Sequence, residues 1–128
     1  MYDIEIWIDL VCLADQRNEL LCTLFGNLTV PMQPRCGETI GFHQNKSSNF
    51  EFNIVSPIGI VKENSVRVEV EEVSHYATND NGTVVWNTSI HSSEISVPTS
   101  ADARQICEFL SSQYGLEIDP YGANRLEA

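Results

Sequence analysis

Between residues 4 and 12, apolar and polar side chains alternate. Ile4, Ile6, Ile8, Leu10 and Cys12 fall on one face, and Glu5, Trp7 and Asp9 on the other. A period of two is that of a half-buried β-strand. Residues 13–18 read as a connection. Residues 19–30 send mixed signals. Leu20, Leu21, Leu24 and Phe25 fit one side of a helix, but Gly26-Asn27 interrupts it and Thr29-Val30 favours extended chain. We read 20–25 as a strand. Pro31 and Pro34 remove backbone donors and push their predecessors out of the helical region, so an irregular loop follows, ending at Gly37. Residues 38–44 and 50–56 then suggest a hairpin around 45–49, with Phe50, Phe52 and Ile54 on one face. A second loop with Pro57 and Gly59 leads to Ile60-Val61, and Glu63-Asn64-Ser65 turns the chain.

The clearest strand signal lies at 66–78. Val66, Val68 and Val70 share a face, but Val73 appears one position out of phase. A bulge at Glu71-Glu72 would restore the phase and bend the strand. Asn79-Asp80-Asn81-Gly82 is a turn of residues that tolerate positive φ. The return strand, 83–91, carries Val84, Trp86, Thr88 and Ile90 on one face, and extended chain continues to Ile95 and Val97. After Pro98, Thr99 or Ser100 caps a helix whose first turn holds Asp102, where the helix dipole favours an acid. Ala103, Ile106, Cys107, Leu110 and Tyr114 form its apolar stripe, and Gly115 suits its C-cap. The expected core joins Ile4, Ile6, Ile8, Val66, Val68, Val70, Val84, Trp86, Ile106 and Leu110.

These elements predict a mainly β, α+β fold: a small antiparallel sheet of about five to six strands, strongly curled or closed into a barrel, with one C-terminal helix. The 128 residues fit a single domain, 1–128, with strands over 4–97, the helix over 100–114 and a loose tail over 119–128.

Charge narrows the choice of partner. The chain has 18 acids against 7 bases, a formal charge of −11. Lys46, Lys62, Arg17, Arg35, Arg67, Arg104 and Arg125 are scattered, whereas a phosphate-binding surface needs them clustered. Nucleic acid and anionic membranes are therefore not expected partners, and a basic protein is compatible. The first residues carry neither a basic nor an apolar leader segment, and no stretch approaches the roughly 18 apolar residues of a membrane span. A cytoplasmic location with reduced cysteines is the expectation, and the Asn-x-Ser/Thr triplets at Asn27, Asn45, Asn81 and Asn87 are then incidental.

Assembled chemistry is sparse. Cys36, His43, His75 and His91 are the candidate zinc ligands, but none stands in a ligand spacing, so no metal or other cofactor is expected. Cys36, beside Arg35 and Gly37, is the best-placed nucleophile, and it would need His43 or His75 as its base. Cys12, Cys22 and Cys107 lie on apolar faces and read as inert core thiols. Aligning Gly82 to the glycine of a calcium loop puts Ala77 and Thr88 at the acidic positions, so the segment is a turn instead. There is no phosphate-cradling glycine loop, no Gly-x-Ser-x-Gly and no His-Glu-x-x-His.

One constellation remains. Asp3, Glu5 and Asp9 share a face with Trp7, and Glu69 and Glu71 lie opposite the valines of their own strand. If the two strands are neighbours, carboxylates surround an indole, the chemistry of a binding hot spot. In the competing reading the C-terminal helix roofs Trp7 and the acids are merely solvated. The function expected is that of a small acidic binding or accessory protein acting through a protein interface at Trp7, Asp3, Glu5, Asp9, Glu69 and Glu71. Its narrower form is an inhibitor or immunity-type protein that blocks a basic, nucleic-acid-handling partner. The alternative from another class is a small hydrolase or metal-dependent enzyme using Cys36 with His43 or His75.

Overall fold

In the computed structural model, which describes residues 1–14, 17–43, 61–62, 65–122 and 124–126, the N-terminal alternation becomes strand β1 (Tyr2–Ala14). Its antiparallel partner is β2 (Arg17–Val30), so the mixed pattern at 19–30 resolves as strand along its whole length. A register shift at Leu10/Val11 explains the mixture: Leu10 faces Cys22 while Val11 faces Leu20, which leaves Leu21 as an extra residue. Leu21 and Cys22 are consequently both buried.

The chain continues through β3 (Thr39–His43), β4 (Val61–Lys62), β5 (Ser65–Asp80), β6 (Thr83–Ser92) and β7 (Ile95–Val97) to helix α1 (Ser100–Tyr114) and β8 (Glu117–Ile118). The strand order is β3-β5-β6-β1-β2-β8, with β4 beside β5 and β7 beside β1. The expected strand at 50–56, and with it Phe50, Phe52, Ile54 and the 45–49 turn, lies outside the described residues. β3 pairs with β5.

The sheet curls into an open half-barrel and is mixed rather than wholly antiparallel, because β1 runs parallel to β6 and β7. The reason is connection length. β1–β2 and β5–β6 are each joined by a short connection that forces antiparallel pairing. A much longer stretch links the two hairpins, and no turn dictates how they meet.

The bulge at Glu71-Glu72 is present as a register shift between Val70 and Glu72. The tight turn is Asn81-Gly82, with φ of 50° and 88°, both in the left-handed region that a two-residue hairpin demands. The Asn79 side chain accepts from the Gly82 N–H at 2.9 Å.

Helix α1 is closed at both ends. The Thr99 hydroxyl oxygen accepts from the Asp102 N–H, and Gly115, at φ 72°, lets the Gly115 and Leu116 amides reach back to Ser111 and Leu110. Its buried stripe is Ala103, Ile106, Cys107, Phe109 and Leu110, so Phe109 joins the expected set, while Tyr114 is only half-buried.

The helix bridges the two edges of the half-barrel. At one edge Tyr114 stacks edge-on to Phe42 of β3 at 5.0 Å, and its hydroxyl donates to the His43 carbonyl. At the other, Leu116, just after α1, lies on Gly26 of β2 so closely that a β-carbon there would stand 2.5 Å from its Cδ2 and 3.3 Å from its Cα. Ile4, Ile6, Ile8, Leu10, Val66, Val68, Val70, Ile90, Ile95 and Val97 line the inner face beneath it.

Two expectations fail here. Val84 and Trp86 are not core residues: they are 56% and 70% exposed. The tail is not loose where it is described. Asp119 and Arg125 donate backbone N–H bonds to Thr23 and Leu21 at 2.8 and 2.7 Å, Arg104 Nε donates to the Leu126 carbonyl, and Leu126 is buried. Single-residue backbone pairing of this kind leaves no periodic signature in a sequence.

Candidate functional site

Alternation along β1 puts Glu5, Trp7 and Asp9 on the outer face, opposite the isoleucines that meet the core. Trp7 is therefore not roofed by α1. It is half-buried, stacked on Phe25 of β2 at 5.1 Å and on His91 of β6 at 6.2 Å. These contacts follow from register: Trp7 pairs with Phe25 on one side and His91 on the other. The row continues to Glu72 of β5 and Glu117 of β8, so Glu72, His91, Trp7, Phe25 and Glu117 cross five strands in line.

The acids nearest Trp7 are fixed by hydrogen bonds. The indole Nε1–H donates to Glu5 Oε1 at 2.7 Å. Thr23 and Thr29 hydroxyls donate across the strand pair to Asp9 and Asp3, at 2.6 and 2.8 Å. The structure thus groups Trp7 with Glu5 and Asp9. It does not bring Glu69 and Glu71 beside them, because β6 separates β5 from β1. The bulge instead brings Glu72 level with Trp7, through His91.

A second surface was not anticipated from the sequence. β1 pairs with β6 only over Ser89–His91, so beyond that point the β5–β6 hairpin projects as a two-stranded arm. Ala77 faces Trp86 and Asn79 faces Val84, on the arm side continuous with the core face. Val85 and Tyr76 are exposed on the other side. The charge of this region is one-sided. From residue 68 to residue 103 there is no Lys or Arg, while Glu69, Glu71, Glu72, Asp80, Glu94 and Asp102 all fall within it. A sequence signal for the exposure did exist: residues 74–80 of β5 offer Trp86 and Val84 only Ala77, Asn79 and His75 as same-face partners across the pair.

The Cys36–histidine constellation is not assembled. Cys36 is exposed and its thiol points to the Glu71 carbonyl at 3.5 Å. His75 instead bonds Gln33 through Nε2 and Thr88 through Nδ1, and His91 covers Trp7. Among the described residues no three His, Cys, Asp or Glu side chains converge as a metal site would require. No described helix is long and apolar enough to cross a membrane.

A cavity of about 670 Å³ opens between α1 and the β2–β8 edge, lined mainly by Leu24, Cys107, Leu116 and Ile118, with Glu108 and Glu117 among its polar groups. Comparison of the chain with protein-family models, characterised proteins and solved structures finds no match.

Proposed function

We propose that this chain is a non-enzymatic binding protein that docks a basic protein partner on its β5–β6 arm and the adjoining acidic outer face. The observation that carries the reading is Trp86, a large indole 70% exposed beside a 56% exposed Val84, in a stretch of chain, residues 68–103, without Lys or Arg. An exposed aromatic anchor costs solvation in the free protein and gains it back on docking, which is why tryptophan is enriched among interface residues whose truncation is most damaging. Glu69, Glu71, Glu72 and Asp80 would steer a positive partner toward the arm and suppress acidic competitors. Trp7, Glu5 and Asp9 lie on the outer face and Trp86 and Val84 on the opposite side of the arm, so a partner that uses both embraces the arm, and Asp3, which accepts from Thr29, extends the outer part along β1. An inhibitor of a basic, nucleic-acid-handling protein is the narrower form of the same reading, with carboxylates standing where phosphates would lie. Direct nucleic-acid binding, a cofactor and a membrane have no part in it, and a cytoplasmic location suits it.

The test is affinity capture from the native host with three baits: wild type, Trp86→Ala, and a triple Glu69→Gln, Glu71→Gln, Glu72→Gln variant. A basic protein retained by wild type, released by salt and bound about 30-fold more weakly by Trp86→Ala is the expected result. The triple variant should mainly slow association. Equal retention by wild type and Trp86→Ala overturns the proposal.

A further inference from the structure

We infer that Cys22 and Cys107 form an oxidisable pair, a site of reversible disulfide formation that clamps α1 to β2. The two sulfurs lie 3.7 Å apart, one from the strand and one from the helix, 85 residues away in sequence. Both thiols are buried, and both stand on elements held from several directions. A disulfide needs sulfurs at about 2.05 Å, so each has less than about 1 Å to travel. Two cysteines packed only as small apolar groups have no need to meet sulfur to sulfur.

Two further features favour oxidation here. The cavity between α1 and the β2–β8 edge has Cys107 in its wall, which gives a small oxidant a route to the pair. The contact also polarises the two thiols. The Cys107 thiol bonded to Cys22 lowers the Cys22 pKa below the ordinary thiol value, and the same contact, together with burial, pushes Cys107 up.

The oxidant class is a hydroperoxide. One sulfur of the pair, as its thiolate, attacks one peroxide oxygen: an S–O bond forms, the O–O bond breaks, and hydroxide leaves to take up a proton. The second sulfur then attacks the sulfenic sulfur of the first. The S–S bond forms, the S–O bond breaks, and the departing hydroxide takes the second thiol's proton. Two thiols lose two electrons and one peroxide becomes two waters (for hydrogen peroxide). The product closes a chain loop spanning most of the molecule, which restricts the unfolded state strongly. Cys36, exposed and bonded to the Glu71 carbonyl of β5, with β6 and β1 between it and β2, is not needed for any step.

The experiment uses the full chain carrying Cys36→Ser, which removes the exposed thiol and its intermolecular products. The folded protein is treated with hydrogen peroxide at neutral pH, digested without reduction and mapped by mass spectrometry. The expected result is a linked peptide pair containing Cys22 and Cys107 with loss of two hydrogens, a rise in Tm of about 10 °C, and return of both to the starting state with dithiothreitol. Three results overturn it: both thiols still alkylatable in the unfolded, treated protein; oxidation of either cysteine to sulfinic acid without a linked peptide; or a linked form melting no higher than the reduced one.

Discussion

The body of the sheet and the tip of the β5–β6 arm are written in the same pattern and end in opposite environments. Val68 and Val70 alternate with Arg67 and Glu69 and are buried at 2% and 1%. Val84 and Trp86 alternate with Thr83 and Val85 on a strand of the same sheet, yet both stand in solvent. The difference lies in what the facing element covers. β1 flanks β6 over Ser89–His91, and α1 lies against β1, β2, β7 and β8, so the apolar side of the arm outruns its cover. Alternation assigns a side chain to a face. Whether that face is roofed depends on the lengths of the other strands and the position of the helix. An apolar residue that outruns the core is then available for contact, and in this molecule the chain around it, residues 68–103, carries acids and no Lys or Arg.

Substitutions to alanine at three positions sharpen this contrast. Phe109, fully buried on the inner side of α1, belongs to the roofed region, and Phe109→Ala should cost about 3–5 kcal/mol in a urea melt through lost burial and the cavity left behind. A loss below about 1 kcal/mol would mean that the helix does not cap the core. Trp7 lies between the extremes, with one ring face on Phe25 and the other on His91. Trp7→Ala should cost about 1–2 kcal/mol, from stacking and partial burial. A loss as large as that of Phe109→Ala would place the indole in the core and withdraw it from the docking surface.

Much of this layout was legible in the residues themselves. The inward isoleucines of β1, the valines of β5, the bulge at Glu71-Glu72, the Asn81-Gly82 turn and both caps of α1 rest on local rules of period, turn chemistry and capping. What escaped is non-local. The parallel meeting of β1 with β6 and β7 depends on how two independent hairpins dock. The level of Glu72 with Trp7 depends on the intervening strand β6 and on which side of the bulge the register resumes. Glu69 and Glu71 share with Trp7 an outward parity but not a neighbourhood. The contact of Cys22 with Cys107 joins a strand to a helix across 85 residues, so two apolar-face thiols looked unrelated. Trp86 misled for the opposite reason, since its local pattern was sound and only its cover was missing.

The most direct test of the arm as a contact surface, and not as part of the core, is the unfolding free energy of Trp86→Ala against wild type in urea. A change within about 0.5 kcal/mol, with an unaltered m-value, is expected for an indole that the folded chain leaves in solvent. A loss of about 2 kcal/mol or more would return Trp86 to the core beside Ile90 and contradict its assignment as the docking anchor.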